Sequence, residues 1–456
     1  MDWGGPILTS LDVVMREAAL FAACGFLVLG LADLAIDLLW FGLAASRLGK
    51  PRPTVADLPP PQAPGLLAIL VPAWDEAAVV GQMLRNALAA WGDGDYRFYV
   101  GCYPNDPDTI AAATAVADPR LRVVVGPEPG PTTKADCLNR LWEALLTDER
   151  AEGRRAKAIV LHDAEDVVHS AELAVFDSLI ENYQLVQLPV LPLIDPGSRY
   201  VGGHYADEFA ESHAKEMVVR QWLGAGLPSA GVGCAFSRDM MELLAGGGVP
   251  FDAASLTEDY ELGLKVREAG GSALFARIAA APGRGLVATR EYFPGTLPAA
   301  VAQKARWMTG IALSGWDRMG WSGGLAERCM RLRDRQSLLA ALLLSCGYLA
   351  AFLWLFLFPA RLIAGAEAPP LPPLLSALVA VNLVLLAWRM AVRAAFTTYA
   401  YGWREGLRSP ARAVVGNAIA ILSAAAALSR YRALRRTGRA RWDKTCHVFP
   451  EAVPAE

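Results

Sequence analysis

The apolar positions of this chain fall into long uninterrupted runs at its two ends and into short runs separated by polar turns in between. Ala18 to Ala45 is apolar apart from Asp33 and Asp37, and at 1.5 Å per residue it is long enough to cross a hydrocarbon core of about 30 Å. Two more runs come late, Ser337 to Phe358 and Leu374 to Trp388, joined through Pro369, Pro370, Pro372 and Pro373. They read as a transmembrane hairpin. A last apolar stretch, Ala413 to Leu428, is shorter, carries Gly416 and Asn417, and lies between Arg408 and Arg412 on one side and a cluster from Arg430 to Lys444 on the other, Arg432, Arg435, Arg436, Arg439 and Arg441 included. A span there would strand one basic cluster outside, so the expectation is an interfacial or re-entrant helix followed by a basic cytoplasmic tail that also suits anionic headgroups.

Arg47, Lys50 and Arg52 follow the first span, whereas Asp12, Arg16 and Glu17 precede it without a basic leader or a cleavage site. This puts residues 1–17 outside and the rest of the chain, from residue 46 to the hairpin and again after it, in the cytoplasm. Asp33 and Asp37 lie one turn apart on one face of the first span, either as a functional intramembrane pair or as partners of basic groups near the cytoplasmic end.

Between the spans, residues 46–335 alternate short apolar strands with helical stretches. Leu67–Val71, Phe98–Cys102, Leu121–Val125 and Ala158–Leu161 read as strands. Helices are expected over Ala77–Trp91, from Thr109, over Thr133–Leu146 and over Leu256–Val266. Such alternation implies an α/β domain with a mostly parallel sheet, inserted between transmembrane helices, whose ligands bind at the carboxyl ends of the strands. Polar clusters follow the strands there: Pro72-Ala-Trp-Asp-Glu76, Pro104-Asn-Asp-Pro-Asp108 and His162-Asp-Ala-Glu-Asp166.

Composition narrows the chemistry. Of 456 residues 54% are hydrophobic and 20% charged, and 43 Lys+Arg against 46 Asp+Glu give a net charge of −3. No basic excess is available for a nucleic-acid partner. Seven dispersed cysteines fit neither a disulfide framework nor a zinc site. There is no P-loop, no HExxH and no GxSxG, which leaves carboxylate chemistry. Asp163 and Glu165, on a loop after a strand, can hold Mg²⁺ or Mn²⁺ whose shell a substrate diphosphate completes, and Lys134 is available to meet phosphate charge. Taken singly, each motif has a plainer reading: acidic turns are mostly solvated, Thr257-Glu258-Asp259 can simply cap a helix, and Gln303 to Trp307 can be helix surface over a buried tryptophan.

In combination and order, Asp106, Asp163-Ala-Glu165, Thr257-Glu-Asp259 and Gln303-x-x-Arg306-Trp307 resemble the processive family-two glycosyltransferases, the cellulose and hyaluronan synthase type with a GT-A catalytic domain. Val71 to Glu76, Tyr103 to Pro107, Thr133 to Asn139, His162 to Asp166, Gly231 to Phe236 and Trp442 to His447 look more closely like bacterial inner-membrane glycosyltransferases of the bacteriophage adsorption protein B type. The resemblance implies a multi-pass inner-membrane enzyme with its catalytic domain in the cytoplasm, using a UDP-sugar with Mg²⁺ or Mn²⁺ and inverting the anomeric centre. It further implies that Glu76 and Asp106 hold the uridine, Lys134 the diphosphate, and Asp163 with Glu165 the metal. Asp259, within Thr257-Glu258-Asp259, is then the general base, and Gln303, Arg306 and Trp307 line the diphosphate and the acceptor sugar.

Glu165 stands where the general pattern has Asp, and Cys234 where a small polar residue is usual. From the length, the regulatory C-terminal domain of some relatives is not expected here. The leading expectation is synthesis and export of a polysaccharide from a nucleotide sugar, with a UDP-N-acetylhexosamine as the candidate donor, a growing glycan as acceptor, the lipid bilayer around it and an outer-membrane or periplasmic export partner. The alternatives are single-sugar transfer to a lipid carrier and a non-catalytic membrane scaffold or receptor-assembly protein.

Overall fold

The computed structural model describes residues 4–365, 367, 369–438 and 447–450. Arg439, Arg441 and Lys444 of the basic tail, and Trp442 to Cys446 of the terminal motif, lie outside the described residues.

Among the described residues, seven strands form one sheet: β1 (Leu67–Pro72), β2 (Tyr96–Cys102), β3 (Leu121–Val125), β4 (Ala158–Leu161), β5 (Leu185–Gln187), β6 (Cys234–Ser237) and β7 (Ala273–Phe275). Their order is β3-β2-β1-β4-β6-β5-β7. β1 pairs in parallel with both β2 and β4, Leu67 standing opposite Tyr96 and Ala158. β6 runs against both neighbours, so the sheet is mostly parallel with one reversed strand.

The central strands are apolar throughout because both faces of the sheet are covered. Ile69 and Val71 pack on one side with Met83, Leu84, Trp91 and Phe98. Ala68 and Leu70 pack on the other with Tyr99, Leu138, Leu141 and Trp142. β5 and β7 are three residues each, too short to show a pattern of their own, and the sequence does not predict them. The expected helices are present with shifted ends: Val80–Trp91, Pro107–Thr114, Lys134–Glu152 and Glu258–Glu268.

Among the described residues, four helices are long and apolar enough to cross a membrane, within Pro6–Ser46, Ser337–Ala364, Pro373–Tyr401 and Trp403–Thr437. The stretch 413–428 thus lies inside a 35-residue helix. Its buried face, Gly406, Ser409, Arg412, Ile419, Ser423, Ala424 and Ala427, packs against the helices Pro373–Tyr401 and Leu297–Met308.

Asp33 and Asp37 have basic partners at the junction with the catalytic domain. Asp37 Oδ1 accepts from Lys215 Nζ at 2.5 Å and Asp33 Oδ1 from Arg333 Nη1 at 2.7 Å. Arg389 also donates to Asp33, and Trp388 Nε1 to Asp37.

Candidate active site

A cavity of about 560 Å³ opens over the carboxyl ends of β1 and β4 and reaches Gln303, Arg306 and Trp307. The turn after β1 supplies Glu76 and the loop after β4 supplies Asp163 and Glu165. Thr133 caps the helix Lys134–Glu152, its side chain accepting from Asp136 N at 3.1 Å, which sets Lys134 in the first turn facing the cavity. Lys134 Nζ lies 2.6 Å from Asp163 Oδ1. Burial alone would pull that ammonium down, but Asp163, Glu258 and Asp259 around it hold it above its usual value.

Glu258 and Asp259 form the first turn of their helix, whose N-terminal dipole favours negative charge. Burial, and for Glu258 the neighbouring Asp259, nevertheless raises both carboxyls, Glu258 to about 7. Asp259 can approach the backbone at Gly231 because that residue has no side chain: a Cβ there would lie 2.3 Å from Asp259 Oδ2, and φ is +76°. The helix Leu297–Met308 continues into a π-helical turn, Thr309–Ser314. There a Cβ on Gly310 would meet the Thr257 side chain at 2.5 Å. The helix that carries Gln303 to Trp307 is therefore held against Thr257-Glu258-Asp259 by a glycine contact that neither motif contains.

Glu165 is buried and its proton affinity is raised well above the carboxylate range by burial and by Asp163, Glu76, Glu291 and Asp166. His447, 371 residues from Glu76 in sequence, places Nδ1 2.9 Å from Glu76 Oε1 and 3.1 Å from Glu165 Oε1. Ligand atoms of Glu76, Glu165 and His447 all lie within 4.8 Å of one another. Two carboxylates and an imidazole amid uncompensated acid fit a divalent cation.

Beneath this loop the His162 ring is fully buried between Asp166 Oδ2 at 2.6 Å and Glu172 Oε1 at 2.7 Å. Against the downward pull of burial, those carboxylates raise the proton affinity of the ring above its usual value. Asp166 Oδ2 also accepts from Asp163 N, and His162 thereby fixes the loop that carries Asp163 and Glu165.

The cavity gathers Glu76, Lys134, Asp163, Glu165, Thr257, Glu258, Asp259, Gln303, Arg306 and Trp307. Asp106 is not among its lining residues. Its carboxylate accepts from Asp75 N at 2.6 Å and Thr109 N at 3.3 Å, capping the helix that begins at Pro107. Asp163 stands outside the three-donor group, being paired with Lys134. Trp307 is half-buried, edge-on to Tyr205 and Phe293 at 6.1 and 6.3 Å, so its surroundings are more aromatic than Gln303 and Arg306 beside it suggest. Gln303 Oε1 is buried without a hydrogen-bond partner among the described residues. His162, Gly231, Glu291 and His447 complete the site and carry no role in the sequence reading. His447 lies in the Trp442–His447 motif, and that was its one signal.

Comparison with known proteins agrees with this architecture. The bacteriophage adsorption protein B of Escherichia coli K12 and the bacteriophage N4 adsorption protein B of Escherichia coli O157:H7 are each 33% identical over an alignment that covers 99% of this chain. The chain spans 65% of the length of these relatives. Among solved structures, a mannosyltransferase from Pyrobaculum calidifontis, in complex with GDP-mannose and Mn²⁺, superposes with a TM-score of 0.53 at 18% identity, covering 89% of this chain and 99% of its own. That likeness shows a shared GT-A fold. Residues 64–310 match the glycosyltransferase like family 2 model, and with more than half its length inside that match the chain belongs to family-two glycosyltransferases.

Proposed function

We propose that the chain is an inverting, membrane-bound glycosyltransferase that moves a sugar from a UDP-sugar onto a growing glycan at the cytoplasmic face of a bacterial inner membrane. The observation that carries this reading is the cavity that Asp259 lines together with Lys134, Asp163 and Glu165 at one end and the Gln303-Arg306-Trp307 wall. Lys134 and Arg306 offset the charge of the diphosphate. Asp259 takes the proton of the acceptor hydroxyl as its oxygen attacks the anomeric carbon opposite the departing diphosphate, which inverts that carbon. Glu76, Glu165 and His447 would hold Mg²⁺ or Mn²⁺, and Asp163 would orient the Lys134 ammonium. The bound ion supplies positive charge that stabilises the leaving diphosphate.

The topology proposed is an external amino terminus, with the catalytic domain and the segment after the hairpin on the cytoplasmic side. His447 and Phe449 support it. His447 contacts Glu76 and Phe449 is buried in the core cluster of β1 and β2. The chain has therefore returned to the catalytic domain soon after Thr437, which favours the 403–437 helix as an interfacial element over a fourth crossing. Extended product passes outward, to a periplasmic or outer-membrane partner.

The test is incubation of the purified full chain with radiolabelled UDP-sugars and Mn²⁺ or Mg²⁺, beside Asp259→Asn. Label should enter a polymer with the wild type and not with the variant, while UDP binding is kept by both. Turnover by Asp259→Asn at the wild-type rate would refute the assignment.

A further inference from the structure

The first long helix ends at Ser46, and Arg47, Lys50 and Arg52 follow it. The structure brings a fourth cation to them from the catalytic domain. Beyond Arg52 the chain makes a parallel bridge with the segment after β7: Thr54 stands opposite Ala279, Val55 N donates to Ala279 O at 3.0 Å and Ala279 N to Pro53 O at 2.9 Å. Two residues before the bridge on its two sides come Arg52 and Arg277. Like charges set opposite one another repel, and burial, then Arg52 and Arg47, push the proton affinity of Arg277 below its usual value while Tyr399 opposes them.

Nothing acidic relieves this group. Among the described residues none of Arg47, Lys50, Arg52 and Arg277 pairs with a carboxylate. Other basic groups at the same junction are paired: Lys215 with Asp37, Arg333 with Asp33 and Glu216, Arg393 with Glu211 and Arg412 with Asp207. The guanidinium of Arg277 makes one hydrogen bond among the described residues, from Nη1 to His213 O. Its remaining N–H groups and those of Arg52 are the parallel donors that phosphate oxygens match.

The group also lies where two long helices end. Arg47 is the residue after the first, and Arg52 Cζ stands 5.9 Å from the ring centroid of Tyr399, near the end of Pro373–Tyr401. Tyr399 and Trp403 are exposed, and aromatic side chains of this kind sit at headgroup depth.

We propose that Arg52 and Arg277, with Arg47 beside them, hold the phosphate of an anionic phospholipid from the leaflet that meets the catalytic domain. A phosphatidylcholine headgroup brings its own cation to the same place and is disfavoured. The proposal rests on the catalytic domain lying at a membrane face and not on the transfer reaction. Phe275, two residues before Arg277, lines the cavity with His213, so the lipid site and the cavity share a wall.

The experiment is native mass spectrometry of the purified full chain in detergent, titrated with dioleoylphosphatidylglycerol or dioleoylphosphatidylcholine. The wild type should retain phosphatidylglycerol in preference. Arg52→Gln and Arg277→Gln should each weaken that retention about fivefold, the attraction one basic side chain supplies at a membrane surface, and leave phosphatidylcholine unchanged. Arg52 is exposed, so its variant reads the site without disturbing a core. Arg328→Gln removes the same charge from an exposed helix position whose guanidinium meets Gly323 O, and it should change nothing. No preference in the wild type, equal losses in Arg328→Gln and the two cluster variants, or displacement of the lipid by equimolar inorganic phosphate overturns the site. Lipid preference in a wild-type chain that fails to bind UDP keeps the site and counts against the transfer reading instead.

Discussion

Replacing Gly231 with Ala tests the geometry of the proposed base, Asp259, more sharply than replacing Asp259 itself. The new Cβ would lie 2.3 Å from Asp259 Oδ2 and 3.0 Å from its Cγ, where ordinary contact begins at 3.4 Å. The carboxylate must therefore shift by about 1 Å, and a displacement of that size at a reacting group costs about 100-fold in rate. A second cost is conformational: φ at Gly231 is +76°, and a side chain in the left-handed region costs about 1–2 kcal/mol. Gly246→Ala separates the two, because Gly246 has φ +56° with nothing within 4 Å of where its Cβ would stand. Both variants should melt at lower temperature, and only Gly231→Ala should lose transfer, with UDP affinity by calorimetry unchanged. Equal transfer rates in the two variants would refute the placement of Asp259 against this turn.

His447→Ala removes one of three clustered donors and should weaken metal-dependent UDP binding by about tenfold or more; an unchanged Mn²⁺ titration by calorimetry would remove His447 from the site. Transfer should fall as pH drops, because a base must be unprotonated and the folded site raises both Glu258, to about 7, and Asp259. Lys134→Met should move this acid limb to higher pH, since the ammonium is what pulls Asp259 down, and a limb staying near the ordinary aspartate value of 3.8 in both proteins would contradict the burial argument. Trp307→Ala should abolish elongation, keep UDP binding, and destabilise by less than the ~3–5 kcal/mol of deleting a fully buried aromatic. A large fall in melting temperature together with lost UDP binding would return Trp307 to the core.

Much of the catalytic domain is legible in the sequence because a strand covered on both faces must be apolar throughout. β3 and β4 occupy the residues their apolar runs predict. β5 and β7 are hidden because three residues carry no period, and β6 because its reversal follows from long-range pairing alone. The site is legible to the extent that its residues sit in contiguous motifs at strand ends. Asp106 shows the limit: Asp before Pro is also the signature of a helix start, and capping is what its carboxylate does. His447 meets Glu76 across 371 residues, a distance no local pattern spans. The same holds for Gly231 and Gly310, whose importance lies in a side chain they lack.

The charges between the catalytic domain and the long helices converge on one segment, residues 203–222. Asp207 pairs with Arg412 at 2.7 Å, Glu208 with Lys304 at 2.6 Å, Glu211 with Arg393 at 3.0 Å and Glu216 with Arg333 at 2.6 Å. Lys215, in the same segment, reaches Asp37 of the first long helix. Arg412, Lys215 and Asp207 are almost completely buried. Pairs this buried contribute little net stability, because desolvation offsets their attraction, while leaving either partner alone costs several kcal/mol, about 3–5. Their consequence is register: an apolar interface tolerates sliding, whereas each of these pairs exists at one alignment of its two helices. The acids sit on the segment that also lines the cavity with Glu208, Phe209, His213 and Met217. A shift by one turn of the first long helix, of Pro373–Tyr401 or of Trp403–Thr437 would therefore break a buried pair and move a wall of the cavity together, which ties the shape of the cavity to the packing of the helices around it.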